Sequence, residues 1–509
     1  MKLNRTSIKN TDDWLGYELP TFDLEKTAKD TIESPIWLHM GAGNIFRIFP
    51  AAVHQELLQT GLADRGITVC ECYDEEIVPR VFAPHDNLTV AVTLKSDGTV
   101  NKKIIASISE AITAAVQKER LIGICVAPSL QIISFTITEK GYSVADPLDQ
   151  KSMMGYLVAG LLARYQTAAP PLALVSMDNC SKNGDVLKAA VVKVAKAWIK
   201  AELADKGFLD YINKLAFPWS MIDKITPRPT EETAKMLKNT GFEDADIIIT
   251  TKETYISSFV MAEECQYLVI EDKFPNGRPP LEKVGVFFTD RKTVEKAEKM
   301  KVCTCLNPIH TALAIAGCLL GYSTMSETIK DKALYKWVQT MALKEAMPVV
   351  ANPKIINPTE FVEDVLERRI PNPFMKDTPQ RIALDTSQKV PIRFGETVKL
   401  RRKKNLPEEE LEAIPFFFAL WARYLTELDD NMEPMPIQSD PRAAEILEYL
   451  RQPYDLQKFF GDTTLFGCDL YANNAILADK ARHYFEELNS AKGAVKRTID
   501  KYWGNYGIK

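Results

Sequence analysis

The segment from Pro35 to Asp74 constrains the fold more than any other part of the chain. Pro35 to Met40 is short and apolar, and Gly41-Ala42-Gly43-Asn44 supplies turn residues. Ile45 to Thr60 has the pattern of a helix stopped by Gly61, and Ile67 to Tyr73 is strand-like again before Asp74. Strand, glycine turn, helix and strand in that order make a βαβ unit, which calls for a parallel sheet covered on both faces. Backbone NH groups at such a turn and at the helix N-terminus suit a pyrophosphate, so Gly41, Gly43 and Asn44 are candidate cofactor residues. Asp74 is expected to accept hydrogen bonds from an adenosine ribose and to repel a 2′-phosphate, which favours NAD over NADP. The competing reading of Asp74 is a solvated turn acid beside Glu75 and Glu76. The turn departs from G-x-G-x-x-G, since Phe46 stands where the third glycine would be, and Pro50 is expected to kink the helix.

Further strand candidates, Asn87 to Leu94, Leu121 to Ala127, Leu172 to Ser176, Ile247 to Thr250 and Tyr267 to Ile270, interleave with helical stretches such as Met153 to Tyr165 and Gly184 to Leu203. The alternation predicts an α/β, Rossmann-like doubly wound N-terminal domain over residues 1–290. After about Arg291 helical patterns take over at Thr311 to Leu320, Glu327 to Leu343, Phe361 to Arg369, Glu408 to Leu428 and Arg442 to Leu450. Residues 291–509 are therefore expected to form a mainly α-helical C-terminal domain, with substrate at the seam between the halves.

A formal charge of -5 leaves no basic footprint for nucleic acid, and the run Lys399, Arg401, Arg402, Lys403 and Lys404 reads as a solvated surface. The first residues are polar and the longest apolar run, Ala312 to Tyr322, is too short to span a bilayer, so a cytoplasmic protein without membrane attachment is expected. The 9 cysteines lack CxxC spacing and the 5 histidines are dispersed, which predicts reduced thiols and no metal site. No obligate protein partner is evident.

The stretch Lys301 to His310, Lys-Val-Cys-Thr-Cys-Leu-Asn-Pro-Ile-His, gathers a base, an amide and an imidazole ahead of an apolar helix. Asn307 and His310, three apart, share one helical face, which Ala314, Gly317 and Gly321 continue with small side chains. The competing reading is a buried helix with Asn307 as its cap, Pro308 at its first position and His310 in the core.

Five segments together resemble the mannitol dehydrogenase family, the polyol-specific long-chain dehydrogenases and reductases that include fructuronate and tagaturonate reductases. They are Thr138-Glu139-Lys140-Gly141-Tyr142, Ser176-Met177-Asp178-Asn179 followed by Asn183-Gly184, Ile222-Asp223-Lys224-Ile225-Thr226-Pro227, Lys301 to His310, and Arg381 to Lys389. Arg47, four residues after Gly43, matches the family's glycine turn as well. The resemblance implies NAD-dependent, metal-independent hydride transfer at an alcohol carbon of an open-chain sugar derivative. It implies Lys301 as base, Asn179 and Asn307 as donors to the developing alkoxide, and His310 as an orienting group. It also implies Asp223, Arg381 and Lys389 beside the substrate. A lysine base working near pH 7 needs its pKa lowered from about 10.4, which burial can do. An arginine suits a carboxylate through its planar fork. Taken singly, Asn179 reads equally as an Asx turn, Asp223 as a turn former, and Arg381 and Lys389 as surface charge. The expected reaction couples fructuronate and mannonate, with mannitol 2-dehydrogenase or tagaturonate reductase as alternatives. A nucleotide-binding regulatory protein that has lost catalysis is the rival of another class.

One departure from the family pattern carries its own expectation. Family members have the lysine five positions before the asparagine, whereas here Val302 holds that position and Lys301 lies one residue further back. On a regular helix one residue turns a side chain by about 100°. Pro308 lacks an NH and would clash with the carbonyl of Thr304, so the sequence predicts a break, or a π-type bulge, between Lys301 and Pro308 that turns Lys301 back toward the two amides.

Overall fold

Five short, largely buried strands organise the first of two units in the computed structural model, which describes residues 1–137 and 139–504. Thr138, first residue of the Thr138 to Tyr142 motif, lies outside them. The strands are β1 (Trp37–Met40), β2 (Ile67–Glu71), β3 (Ile108–Thr113), β4 (Ile132–Phe135) and β5 (Ala173–Ser176), all parallel, in the order β3-β2-β1-β4-β5. The chain runs outward from β1 to β3, then returns to the other side of β1 for β4 and β5. The order therefore reverses between β1 and β4, and ligands of doubly wound sheets bind in the crevice beyond the carboxyl ends at such a reversal. This unit comprises Met1–Leu94 and Thr99–Glu295 and has the Rossmann-type architecture.

Three of the expected strands are in this sheet, but Leu121 to Ala127 is not a strand. It falls in a helix, Lys118–Val126, with Leu121, Ile124 and Cys125 buried at helical spacing. The connection from β3, at one edge, to the parallel strand β4 on the far side of β1 must cross over the sheet, and a helix makes that crossover. Ile108–Thr113 and Ile132–Phe135 fill the sheet instead. The Asn87 to Leu94 candidate is the strand Thr89–Leu94, which pairs with Val100–Ile105 and Phe259–Glu263 in a separate sheet. The Tyr267 to Ile270 candidate is the strand Tyr267–Glu271, between Ser220–Asp223 and Phe287–Thr289.

The glycine turn after β1 explains its own irregularities. Gly41 has φ +108°, a left-handed value that favours glycine, and a Cβ there would meet the Thr136 carbonyl oxygen at 3.4 Å. Phe46 replaces the third glycine by stacking flat on His39 of β1, ring centroids 3.9 Å apart. The helix is broken rather than kinked. Asn44–Ile48 ends at Phe49, and Pro50 starts Pro50–Gln59 at a first position, where its missing NH costs nothing.

The second unit comprises Lys95–Gly98 and the chain from Lys296 onward. Among the described residues no strand follows Thr289. Its central helix, Ala413–Tyr424, is buried along its whole length, and Phe417 stacks on Phe394 at 3.8 Å. The NH groups at the start of that helix are satisfied by Glu345, whose carboxylate accepts from Glu412, Ala413 and Ile414 at 2.6–2.9 Å. Arg291–Leu320 contains an 18-residue window apolar and long enough to cross a bilayer, and 78% of that window is buried inside the protein.

Candidate functional site

In the first unit, the carboxyl ends of β4 and β5 open into a cavity of about 370 Å³ lined by Ile45, Thr136, Ile137, Met177, Asp178, Asn179, Cys180 and Ile222. Asn179 is exposed on the loop after β5, and that loop is held by the neighbours of Asn179. Asp178 accepts from Ser176 Oγ at 2.5 Å, from the Cys180 NH at 2.9 Å, and from the Tyr142 hydroxyl. Burial, together with the Asp178 charge, raises the Tyr142 phenol pKa. Asn183, fully buried at the start of helix Asn183–Lys200, donates to the carbonyls of Ser176, Asp178 and Ser220 and accepts from the Ser220 NH at 3.0 Å. A Cβ at Gly184 would lie 2.5 Å from the Phe217 carbonyl oxygen, so only glycine lets the helix start this close. The motif residues around Asn179 thus act as its scaffold. Asp223 closes the strand Ser220–Asp223 next to the cavity residue Ile222 and is itself buried.

The glycine turn suits an anionic, extended cofactor. A Cβ at Gly43 would meet nothing within 4 Å, which leaves room for a phosphate, and Asn44 opens the following helix. Arg47 is 1% exposed, its Nη2 is buried without a hydrogen-bond partner, and burial lowers its pKa to about 9. Asp74 differs from expectation. It is 1% exposed, and its carboxylate accepts from Thr250 Oγ1 at 2.6 Å. It is neither a solvated turn acid nor a side chain turned outward, because the pairing with Thr250 compensates its burial. The acid that touches the glycine turn is Glu71, the last residue of β2. Its carboxylate accepts from the NH groups of Ala42 at 2.8 Å, Tyr73 at 2.7 Å and Asp74 at 3.0 Å. An acid at the final position of a βαβ strand was the sequence signal for it.

In the second unit the expected break is present. Arg291–Met300 is followed by a π-helical turn, Lys301–Cys305, in which the Leu306 NH donates to the Lys301 carbonyl at 3.1 Å. Leu306 then leaves helical geometry (φ −123°), and Asn307–Leu320 begins with Pro308 in its first turn. The π turn holds one residue more than an α turn, and Lys301 is buried rather than solvated, 9% exposed. Asn307 and His310 are half-buried on the first turn of the helix. Among the described residues neither the Asn307 amide nor the His310 ring makes a hydrogen bond. Burial, reinforced by Arg369, Arg393 and Arg381 against the opposing Asp377, lowers the His310 pKa to about 4, so the ring is neutral near pH 7.

Arg381 and Lys389 are otherwise engaged. Arg381 is 61% exposed in its side chain and pairs with Asp377, four residues back and ahead of the short helix. Lys389 donates to the carbonyls of Ile382 and Leu384, fastening the end of the short helix Pro379–Ile382, and burial lowers its pKa to about 8. The residue passed over is Arg393, four beyond Lys389, which reaches the turn of Asn307 and donates to its carbonyl at 3.3 Å and to Thr311 Oγ1.

Two family models match the chain, the mannitol dehydrogenase Rossmann domain over residues 35–283 and the mannitol dehydrogenase C-terminal domain over residues 293–488. The D-mannonate oxidoreductase of Thermotoga maritima is 44% identical across 99% of both chains. The mannitol 2-dehydrogenase of Neosartorya fischeri is 28% identical across 95% of both. Among solved structures, the ternary complex of Pseudomonas fluorescens mannitol 2-dehydrogenase with NAD and D-mannitol aligns with a TM-score of 0.70 at 26% identity, over 99% of this chain and 100% of that one. A substrate-free D-sorbitol dehydrogenase shares the fold, with a TM-score of 0.81 at 24% identity over 98% of this chain and 100% of that one.

Proposed function

The chain belongs to the mannitol dehydrogenase family, and from that membership we propose that it interconverts D-mannonate and D-fructuronate. It is an NAD-dependent oxidoreductase that acts on the CH–OH group of a polyol or sugar acid. The observation that carries the sugar-acid reading is the 44% identity to a D-mannonate oxidoreductase, against 28% to a mannitol 2-dehydrogenase.

Bound NAD would supply the hydride acceptor, and NADH the hydride donor, for the carbinol carbon. Gly41, Gly43, Asn44 and Arg47 would hold the cofactor at the glycine turn. The remaining chemistry belongs to side chains. In the oxidative direction Lys301, a buried amine, takes the hydroxyl proton. Asn179 and Asn307 donate to the oxygen as it gains negative charge, each contributing on the order of 3 kcal/mol as oxyanion donors do elsewhere. Amides supply these donors without a net charge that would compete for the proton. His310, neutral, binds a neighbouring hydroxyl, and Asp223 serves the same substrate.

The test is NADH oxidation with fructuronate, tagaturonate, fructose or no substrate. Fructuronate is expected to give the highest kcat/KM. A preference for tagaturonate or fructose replaces the substrate, and no turnover with any of them gives the inactive regulatory protein.

A further inference from the structure

We propose that Arg393 is the specificity-determining receptor for the substrate carboxylate, taking it on the edge formed by Nε and Nη2 and so selecting sugar acids over neutral polyols. This inference rests on the sugar-acid reading above and moves the anion-binding role from Arg381 to a residue that no sequence motif marked.

Arg393 lies in the π-helical turn Pro391–Gly395 and is half-buried. Its Nη1 is fixed by the Asn307 carbonyl at 3.3 Å and by Thr311 Oγ1. Those acceptors sit on the helical turn that carries the unpartnered Asn307 amide and the His310 ring. The opposite edge is different, because among the described residues Nε and Nη2 make no hydrogen bond and no carboxylate pairs with the guanidinium. Burial lowers its pKa to about 10, a sign of a cation held without a compensating charge.

Other buried arginines of the unit show how a guanidinium is satisfied when its role is structural. Arg401 pairs with Glu410, and Arg423, which also lacks a carboxylate, donates to the carbonyls of Leu428 and Asp429 and to Thr426. Both leave Nε buried without a partner, so the contrast lies at Nη2, which Arg401 and Arg423 each bond and which Arg393 leaves without a hydrogen bond among the described residues. A planar, bidentate anion matches that edge in both charge and geometry, whereas a polyol hydroxyl matches only the hydrogen bonding. The His310 ring, neutral near pH 7, adds no charge of its own to the site.

The experiment measures dissociation constants for D-mannonate, D-altronate and D-mannitol by calorimetry, with the protein saturated in NADH so that no turnover occurs. Arg393→Met is expected to weaken the preferred sugar acid on the order of 100-fold, with D-mannitol affinity within about threefold of the parent. Arg393→Lys, which keeps the buried charge and protects the fold, is expected to lose about tenfold through loss of the fork alone. A parent that prefers altronate, with the loss falling on altronate, overturns the mannonate assignment and supports the Arg393 role. A parent that prefers mannonate, with Arg393→Met weakening mannitol equally or Arg381→Met costing as much, overturns the Arg393 role and leaves the substrate assignment standing. A parent with no preference for either acid overturns both.

Discussion

The loop after β5 and the turn that opens Asn307–Leu320 both present an amide, yet they hold it in different ways. Around Asn179 the polar side chains bind one another. Asp178 is claimed by Ser176, Tyr142 and the Cys180 NH, and Asn183 joins three carbonyls. Around Asn307 the side chains are half-buried, with the Asn307 amide, the His310 ring and one edge of Arg393 lacking partners among the described residues. A satisfied network fixes a geometry, whereas half-buried, unpartnered donors are open to a ligand. The first arrangement positions one group, and the second is built to receive something.

The comparison breaks most visibly at Lys301. Replacing it with alanine is expected to lower kcat by about 10²–10⁴ while the thermal midpoint stays near that of the parent, since a base acts in the chemical step. Full activity of Lys301→Ala would move the assignment to Lys299. The scaffold side should respond the other way. Asn183→Ala removes the donor for three carbonyls and the acceptor for the Ser220 NH, so a loss of about 1–3 kcal/mol in urea unfolding is expected. If kcat fell with unfolding unchanged, the loop after β5 would be more than a scaffold.

Glu345 gives the smallest effect and shows that the second unit also contains a saturated polar group. Burial raises its pKa to about 7, against the opposing pull of the three NH groups it caps. An unfolded glutamate titrates near 4.5, so between about pH 4.5 and 7 the folded chain keeps a proton that the unfolded chain releases. Its stabilising contribution is full below that range and falls as pH rises through it. The stability of the parent relative to Glu345→Gln should therefore decline from pH 5 to pH 7, a difference readable in thermal midpoints. A relative stability that grows with pH would mean that the NH groups hold the ionised form.

Local rules governed what was legible in the sequence. Pro308 cannot donate to Thr304, so the break before Asn307 follows from one residue's chemistry, and the lysine register together with that proline located the π turn. Pro50 divides its helix for the same reason. Leu121 to Ala127 was misread because a short apolar run has no period of its own. Its helical state comes from the need to cross between parallel β3 and β4.

Charged side chains divide along the same line. The pairing of Arg381 with Asp377 spans only four residues of chain, so the local sequence alone brings the two within reach. Only the tertiary structure decided that Asp74 meets Thr250, 176 residues on, and that Arg393 packs against Asn307 and Thr311 with one edge unclaimed. Whether a buried charge is compensated depends on which distant atoms surround it, and that environment exists only after the elements have packed.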